Sequence, residues 1–240
     1  MKPLITILTI VGLFTFFLLP VYSIELSEPA WYYKSMGDRK LDEGNYGEAI
    51  VEYKKAIIKR IKEQESNNKS QKKELKGYPE ANIALAKIYI KQKLYDMAMV
   101  HLDKAEQLKS LLQIKDQIFD VYYLKAEVYR LTKKRKKEID MYKKIIGNDP
   151  NWNIRRRYSI GTFKSLMYLR NDNISRLKFG KAYFELGKIY LETGNYITAE
   201  PYLSMSFLYG YNTDLSFRYL KECYNKLNKK SIIESLENLK

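Results

Sequence analysis

Cysteine and histidine are almost absent from this 240-residue sequence, which contains one of each, Cys223 and His101. A single cysteine excludes a disulfide within the chain, so packing has to stabilise the fold. The sequence also lacks a glycine-rich phosphate loop, paired-cysteine metal spacing and a nucleophile elbow. A lone histidine among apolar neighbours and a lone thiol are more often structural than reactive. We therefore predict no enzymatic activity, no catalytic residue, no metal and no cofactor; an enzyme whose site leaves no motif is the alternative.

Proline and glycine are also scarce, with 6 and 11 residues, whereas Leu, Ile, Tyr, Lys and Glu are abundant. Few helix breakers and many helix formers favour α-helices. The hydrophobic content of 45% is ample for a core. The sequence therefore predicts an all-α protein.

The amino terminus differs from the rest of the chain. Lys2 is followed by an apolar, uncharged run over residues 4–19, then by Pro20 and a small residue, Ser23. This order is typical of a secretory signal peptide, so we predict that residues 1–23 are removed on export. The alternative is an uncleaved membrane anchor, although the run is shorter than the roughly 20 residues that a spanning helix needs.

A short phrase occurs twice with the same internal spacing. Gly-Asn-Tyr-x-x-Ala stands at residues 44–49 and again at 194–199, with a glycine seven residues upstream each time, Gly37 and Gly187. A weaker copy spans residues 86–98. Recurrence at fixed spacing marks a repeat architecture. Each copy has the pattern of a helix, a tight turn and a second helix, and such pairs bury their apolar faces only by stacking.

We divide the chain on this basis into a signal peptide or anchor (1–23) and a solenoid (24–240). The predicted helix-pair units span about residues 30–63, 79–112, 119–152 and 180–213. An additional helix is predicted over about 152–170, and a C-terminal cap pair over 214–240. A capping box at residues 231–234 supports the last helix.

With these positions placed, the sequence resembles the tetratricopeptide repeat (TPR) family. That motif has a small residue where the first helix crosses the second, here Gly37, Ala86, Ala126 and Gly187. It then has a tyrosine and a small residue at the start of the second helix, here Tyr46/Ala49, Tyr95/Ala98 and Tyr196/Ala199. The third unit departs from the pattern with Arg135/Glu138. The resemblance implies a TPR-type α-solenoid of stacked antiparallel helix pairs.

The resemblance also implies that the first helices line a concave face that binds a peptide or helix of a partner protein. The candidate groove residues are Lys34, Asp38, Ile83, Lys87, Tyr123, Glu127, Phe184 and Lys188, followed on the same helices by Leu41, Ile90, Arg130 and Leu191. Ile83, Tyr123 and Phe184 are expected to act as its apolar anchors. The predicted function is therefore a non-enzymatic interaction scaffold of the bacterial periplasm or cell envelope.

The charge balance suggests a second function. The chain has 43 Lys and Arg against 28 Asp and Glu, a net charge of +15. Export makes nucleic acid a poor partner, which leaves anionic lipid or cell-wall polymer as alternatives to a protein. The basic runs are Lys133–Lys137, Arg155–Arg157 and Lys72–Lys73. A basic protein bound to an envelope surface is thus the alternative function, although lysine-rich helix faces are often simply solvated.

Overall fold

A computed structural model describes residues 26–67, 75–149, 176–230 and 232–233. Within these ranges the secondary structure is helical. The α-helices in chain order are α1 (Ala30–Asp42), α2 (Tyr46–Asn67), α3 (Pro79–Lys91), α4 (Tyr95–Gln107), α5 (Gln117–Leu131), α6 (Arg135–Ile146), α7 (Arg176–Glu192), α8 (Tyr196–Leu208) and α9 (Thr213–Lys226). None of the helices in these ranges is long and apolar enough to span a bilayer.

Several predictions concern residues outside the described ranges. They are the signal peptide or anchor at 1–23, the additional helix at 152–170, and the basic runs at 72–73 and 155–157. The capping box at 231–234 is described only at residues 232 and 233.

The helices form successive pairs. Helices α1, α3, α5 and α7 each pack against the helix that follows, and neighbouring pairs pack side by side, while α9 packs on α8 and α7. We refer to the four pairs as units 1 to 4. The prediction of an all-α solenoid built from stacked helix pairs is confirmed.

Glycine is required where two helices of one unit cross. A Cβ atom added to Gly37 on α1 would lie 2.7 Å from the Tyr53 ring on α2, and one added to Gly187 would lie 2.6 Å from Leu203 Cγ on α8. Contacts this short do not occur between real side chains, so only a hydrogen atom fits. The predicted role of these two glycines at the helix crossings is confirmed.

The turn between the two helices of a unit uses a left-handed residue each time. Gly44 and Gly194 take this position in units 1 and 4, with φ of 78° and 74°, and lysines take it in units 2 and 3, Lys93 (φ 62°) and Lys133 (φ 58°). A side chain in this region costs roughly 1–2 kcal/mol. Two of the four turns therefore carry backbone strain that the other two avoid.

Unit 3 forms its helix pair although it lacks the small residue of the motif. Its counterpart of Ala49 is Glu138, which is buried. Arg135 lies 3.2 Å from the Glu138 carboxylate and also 3.0 Å from Glu192 at the end of α7. An ion pair that includes a residue of unit 4 thus compensates for a carboxylate at a position where the other units bury a methyl group.

Helix α5 joins two parts of the core. Val121 and Val128 pack with the apolar residues of units 1 and 2, while Phe119, Tyr122 and Ala126 pack with those of units 3 and 4. The helix is therefore held from both sides, and its remaining face is directed to solvent. That face contributes to the cavity described next.

Candidate functional site

An open cavity of about 660 Å³ lies where α3, α5 and α7 come together. These are the first helices of units 2, 3 and 4, so the cavity lies on the face that first helices share. Its lining residues are Lys87 from α3; Asp120, Tyr123, Leu124, Glu127 and Arg130 from α5; Tyr142 from α6; and Lys181, Glu185 and Lys188 from α7. A volume of this size is typical of ligand sites in proteins.

Helical periodicity explains how these residues come to share one surface. On α5 the lining positions are separated by three or four residues, and on α7 positions 181, 185 and 188 follow the same spacing. Residues three and four apart are neighbours on one side of a helix. Helices α5 and α7 therefore each present a largely polar stripe to the cavity, and α3 adds Lys87.

Four of the eight predicted groove residues line this cavity: Lys87, Tyr123, Glu127 and Lys188. They come from three different helices. In the sequence, Tyr123 lies 36 positions after Lys87, and Lys188 lies 101 positions after it. Arg130, on the same stripe as Glu127, joins them. The structure therefore brings half of the predicted set into one concave site.

Lys34 and Asp38 lie elsewhere, on α1. The Lys34 ammonium is 2.6 Å from the Asp38 carboxylate, and the Tyr53 hydroxyl donates to the same carboxylate at 2.8 Å. Asp38 is thus held by contacts within unit 1. These two residues are not among the lining of the cavity.

Ile83 and Phe184 are buried, so they belong to the packing of the solenoid and do not form exposed apolar anchors. The Phe184 ring stacks on Tyr219 of α9, with centroids 5.8 Å apart, and also lies 5.7 Å from Tyr211. Because α9 packs against α7, it covers the side of α7 on which Phe184 lies. The expectation of an exposed anchor does not hold at either position.

Tyr123 is one of two aromatic residues in the lining, with Tyr142. The Lys181 ammonium lies 4.6 Å from the centroid of its ring, a cation–π contact. Its hydroxyl donates to the backbone carbonyl of Lys178, and its ring lies 6.1 Å from that of Tyr142. Burial raises the pKa of Tyr123, so the phenol is neutral at physiological pH. The side chain is fixed in place and contributes one flat apolar surface.

Glu185 provides a carboxylate among positive charges. Burial raises the pKa of Glu185, although Lys188, Lys181 and Arg130 act in the opposite direction. Within the described part of the chain, Glu185 makes no ion pair closer than 4 Å. Burial deprives this carboxylate of water, and a ligand that donates hydrogen bonds to it would replace that water.

The cavity also contains cations without a close counter-ion. Among the residues that the structure describes, no carboxylate lies within 4 Å of the charged groups of Lys87, Arg130 or Lys181. Lys188 has only a long contact with Glu192, 3.9 Å. Of the acidic lining residues, Asp120 is paired with Lys178 at 3.1 Å. The lining thus presents charges of both signs that remain open to a partner.

Five lining residues were not among the predicted positions: Asp120, Leu124, Tyr142, Lys181 and Glu185. Asp120 and Leu124 continue the stripe of Tyr123 and Glu127 by three- and four-residue steps, so extending the helical pattern would have found them. On α7 the prediction started from Phe184, one position away from the stripe of Lys181 and Glu185. Tyr142 belongs to a second helix, whereas all the predicted positions lie on first helices.

The residues singled out as structural have structural surroundings. Nδ1 of His101 is 2.9 Å from Oδ1 of Asn82, and the imidazole stacks on Tyr89 with centroids 5.4 Å apart. Cys223 is buried, and burial raises the pKa of its thiol to about 12. In the described ranges, no group of three His, Cys, Asp or Glu residues could hold a metal ion.

Stacked helix pairs, with a concave site lined by the first helices of three successive pairs, define an α-solenoid of helical repeats. The chain belongs to the tetratricopeptide repeat family, whose sequence model matches residues 79–110, 119–151 and 180–204. The match includes unit 3 in spite of its departure from the motif. Proteins of this family are generally non-enzymatic scaffolds for protein–protein interaction.

Solved structures share this fold. The chain is similar to the MamA protein, with a TM-score of 0.52 and 17% identity over 87% of this chain and 88% of that one. It is also similar to BtubC (BKLC) from P. vanneervenii, with a TM-score of 0.51 and 14% identity over 85% and 75% of the two chains. At these identities the likeness concerns the fold alone.

A protein of Treponema pallidum (strain Nichols), described as uncharacterized, is 25% identical over 139 residues. The match covers 54% of this chain and spans only 37% of the length of that relative.

Proposed function

We propose that the chain is a non-enzymatic scaffold of the bacterial periplasm or cell envelope that binds a peptide or helix of a partner protein in the cavity between α3, α5 and α7. The observation that carries this proposal is the convergence of three successive first helices on one open cavity. Their side chains provide an aromatic surface at Tyr123 and charges that are not paired within the described part of the chain.

The mixture of charges indicates the kind of segment that would fit. Lys87, Arg130 and Lys181 suit carboxylates or carbonyl oxygens, and Glu185 suits a donor such as a lysine or a backbone N–H. A polypeptide offers both donors and acceptors along its length, as well as apolar side chains for the flat surface of Tyr123. A mixed-charge protein segment therefore suits the cavity better than a uniformly anionic polymer.

Site-specific cross-linking in the intact cell would test the proposed binding site. A photo-reactive amino acid would replace Lys87 or Lys188 in the cavity, and, as a matched control, Lys104 of α4 or Lys226 of α9, which are exposed and do not line the cavity. We expect defined protein adducts from the cavity positions only, and their loss when Lys181→Glu is added. Equal adducts from the control positions would contradict the proposal.

Phe184→Ala is unsuitable for this purpose, because the ring is buried under Tyr211 and Tyr219. Loss of the ring would disrupt the packing of α9 on α7, so a change in partner binding could not be attributed to the cavity. Lys181→Met is the better variant: it removes the charge above Tyr123 from an exposed position. Titration calorimetry would then compare the binding of an isolated partner to the variant and to the original protein. We expect the variant to bind the partner more weakly and to be as stable as the original protein.

The proposed location rests on the apolar run at residues 4–19 and on the small residue Ser23. Amino-terminal sequencing of the protein recovered from cells would test it. A mature chain that begins at Ile24 in the soluble periplasmic fraction is the expected result. A chain that retains Met1 and fractionates with membranes would support the uncleaved anchor, and recovery from the cytoplasm would contradict both.

A further inference from the structure

The turns that join the two helices of each unit lie along one edge of the solenoid. Tyr46, at the start of α2, has the Lys91 ammonium 5.5 Å from its ring centroid, so the turns of units 1 and 2 are adjacent. Arg135, at the start of α6, is 3.0 Å from Glu192 at the end of α7, so those of units 3 and 4 are adjacent. Lys87, Arg130 and Lys188, near the ends of the three first helices, share the cavity between them.

Charge along this edge changes from unit to unit. Residues 41–48 in unit 1 and 191–198 in unit 4 contain acidic charges and no cation. Residues 130–137 in unit 3 contain six cationic side chains and no carboxylate, and residues 90–97 in unit 2 contain two lysines and one aspartate. The positive charge is therefore concentrated in the middle of the edge.

The lysines of this part are displayed to solvent. Lys93, Lys133, Lys134 and Lys136 are exposed, and within the described ranges none of them has a carboxylate within 4 Å. Two of them, Lys93 and Lys133, occupy the left-handed position that units 1 and 4 give to glycine. Strained backbone of this kind tends to persist where the side chain has a function. The common explanation of a charge run, a solvated helix face, does not account for lysine at a position that favours glycine.

Exposed apolar side chains accompany these lysines. Leu94 follows Lys93 and is 49% exposed, and Leu131 precedes Lys133 by two residues and is 41% exposed. Met97, one turn further along α4, is 44% exposed. In units 1 and 4 the residue that corresponds to Leu94 is Asn45 or Asn195. Apolar side chains between lysines would gain nothing from a soluble polyanion, but they can enter the boundary between headgroups and acyl chains of a bilayer.

We propose that the turn edge formed by residues 90–97 and 130–137 docks on an anionic lipid surface, with its lysines on the headgroup phosphates and Leu94 and Leu131 at the acyl boundary. Apart from Arg130, which also lines the cavity, the residues of this edge lie outside the cavity lining, so the two surfaces adjoin at Arg130 but use different side chains elsewhere. Lipid binding would hold the scaffold at a membrane, whatever the fate of residues 1–23.

Sedimentation of the full chain with lipid vesicles tests this proposal. Vesicles that contain phosphatidylglycerol are compared with vesicles of phosphatidylcholine alone, at increasing concentrations of sodium chloride. Neutral vesicles measure any binding through the apolar residues 4–19, which does not depend on lipid charge. We expect additional binding to the acidic vesicles and its progressive loss with salt.

A charge variant and a matched control make the test specific. Lys133→Gly, Lys134→Gln and Lys136→Gln together should lower affinity for acidic vesicles by about 100-fold, since each lysine contributes about fivefold. The same number of charges is removed by Lys62→Gln, Lys104→Gln and Lys226→Gln, which lie on other exposed surfaces and should change affinity less than about threefold. Circular dichroism of both variants establishes that they are folded. Equal losses in the two variants would overturn the proposal.

A second variant separates lipid from other phosphate ligands. Leu94→Asn with Leu131→Gln should weaken vesicle binding while leaving its salt dependence unchanged. Soluble polyphosphate provides the contrary outcome if it displaces the protein from the vesicles completely, and to the same extent with and without the leucine substitutions. That result would overturn the assignment to lipid. All these variants leave the cavity residues in place, so a negative result here does not bear on the protein-binding proposal, and failure of the cross-linking experiment does not bear on this one.

Discussion

The ammonium group of Lys125 lies 2.6 Å from the Asp103 carboxylate, although the Lys125 side chain is only 6% exposed. The same ammonium also donates to Glu106, which in turn is 3.0 Å from Lys144. Burial alone would lower the pKa of Lys125, but hydrogen bonds to Asp103 and Glu106 outweigh it and the pKa is raised. This network connects α4 of unit 2 with both helices of unit 3.

Replacement of Lys125 by methionine should therefore destabilise the junction between units 2 and 3. Breaking a fully buried pair costs about 3–5 kcal/mol, and we expect about 1–3 kcal/mol here because Asp103 and Glu106 can regain water. Lys144→Met, at a half-exposed side chain, is the control and should cost less than about 1 kcal/mol. Urea unfolding followed by circular dichroism measures both, and equal losses would contradict a special role for Lys125.

The stability of the protein should also depend on the protonation of His101. Burial, with a smaller effect of Lys54, lowers the pKa of His101 in the folded state. Between that value and about 6.5, the pKa in the unfolded chain, the unfolded state binds more protons, so stability rises with pH. The contribution of neutral His101 is thus fully present above about pH 6.5 and is lost as the pH falls.

The measurement is the urea midpoint at pH 7.5 and pH 5.5. His101→Gln should lose less stability on acidification than the original chain. Glu185, whose pKa is raised by burial, acts with the opposite sign, since its folded state binds more protons. It is present in both proteins, so their difference isolates His101. Identical pH profiles would show that the imidazole is not desolvated.

Features that depend on contacts within one helix pair could be predicted from the sequence, whereas features that depend on contacts with helices outside the pair could not. Gly37 and Gly187 could be placed at helix crossings because the partners, Tyr53 and Leu203, belong to the same helix pair and recur at a fixed spacing. The orientation of α7 could not be predicted in the same way. Phe184 is buried because α9 and Tyr211 cover it, and that contact depends on a helix outside the repeat motif.

Glu138 illustrates a second limit. A carboxylate at the alanine position argues against a regular unit, yet unit 3 has the ordinary helix pair because Arg135 pairs with Glu138 and is itself bound by Glu192 of unit 4. Composition and spacing within one unit do not reveal such compensation. For the same reason Tyr142 and Lys181 were missed in the cavity, which is formed between units.

Lys133→Gly should stabilise the protein in spite of removing a side chain. The left-handed conformation of Lys133 costs about 1–2 kcal/mol, and glycine avoids this cost while losing about 0.5–1 kcal/mol through the greater freedom of the unfolded chain. A net gain of about 0.5–1 kcal/mol is expected. Lys134→Gly, next to it with φ −92°, is the control and should not stabilise. Thermal unfolding ranks the two, and a loss in Lys133→Gly would exclude strain at this turn.

The register of the whole repeat can be tested at two glycines of unit 4. Gly187→Leu should destabilise the protein far more than Gly194→Ala. A Cβ atom on Gly187 would meet the Leu203 side chain at 2.6 Å and the Leu203 backbone nitrogen at 3.0 Å. The backbone cannot move aside without separating α7 from α8, so we expect a loss of about 3 kcal/mol or more. At Gly194 no atom lies within 4 Å of the added methyl group, and only the left-handed strain, about 1 kcal/mol, remains.

Chemical unfolding followed by circular dichroism measures both values. Equal losses, or a greater loss at Gly194, would mean that α7 and α8 cross at another position and that the lining of the cavity by Lys181, Glu185 and Lys188 is misplaced with them.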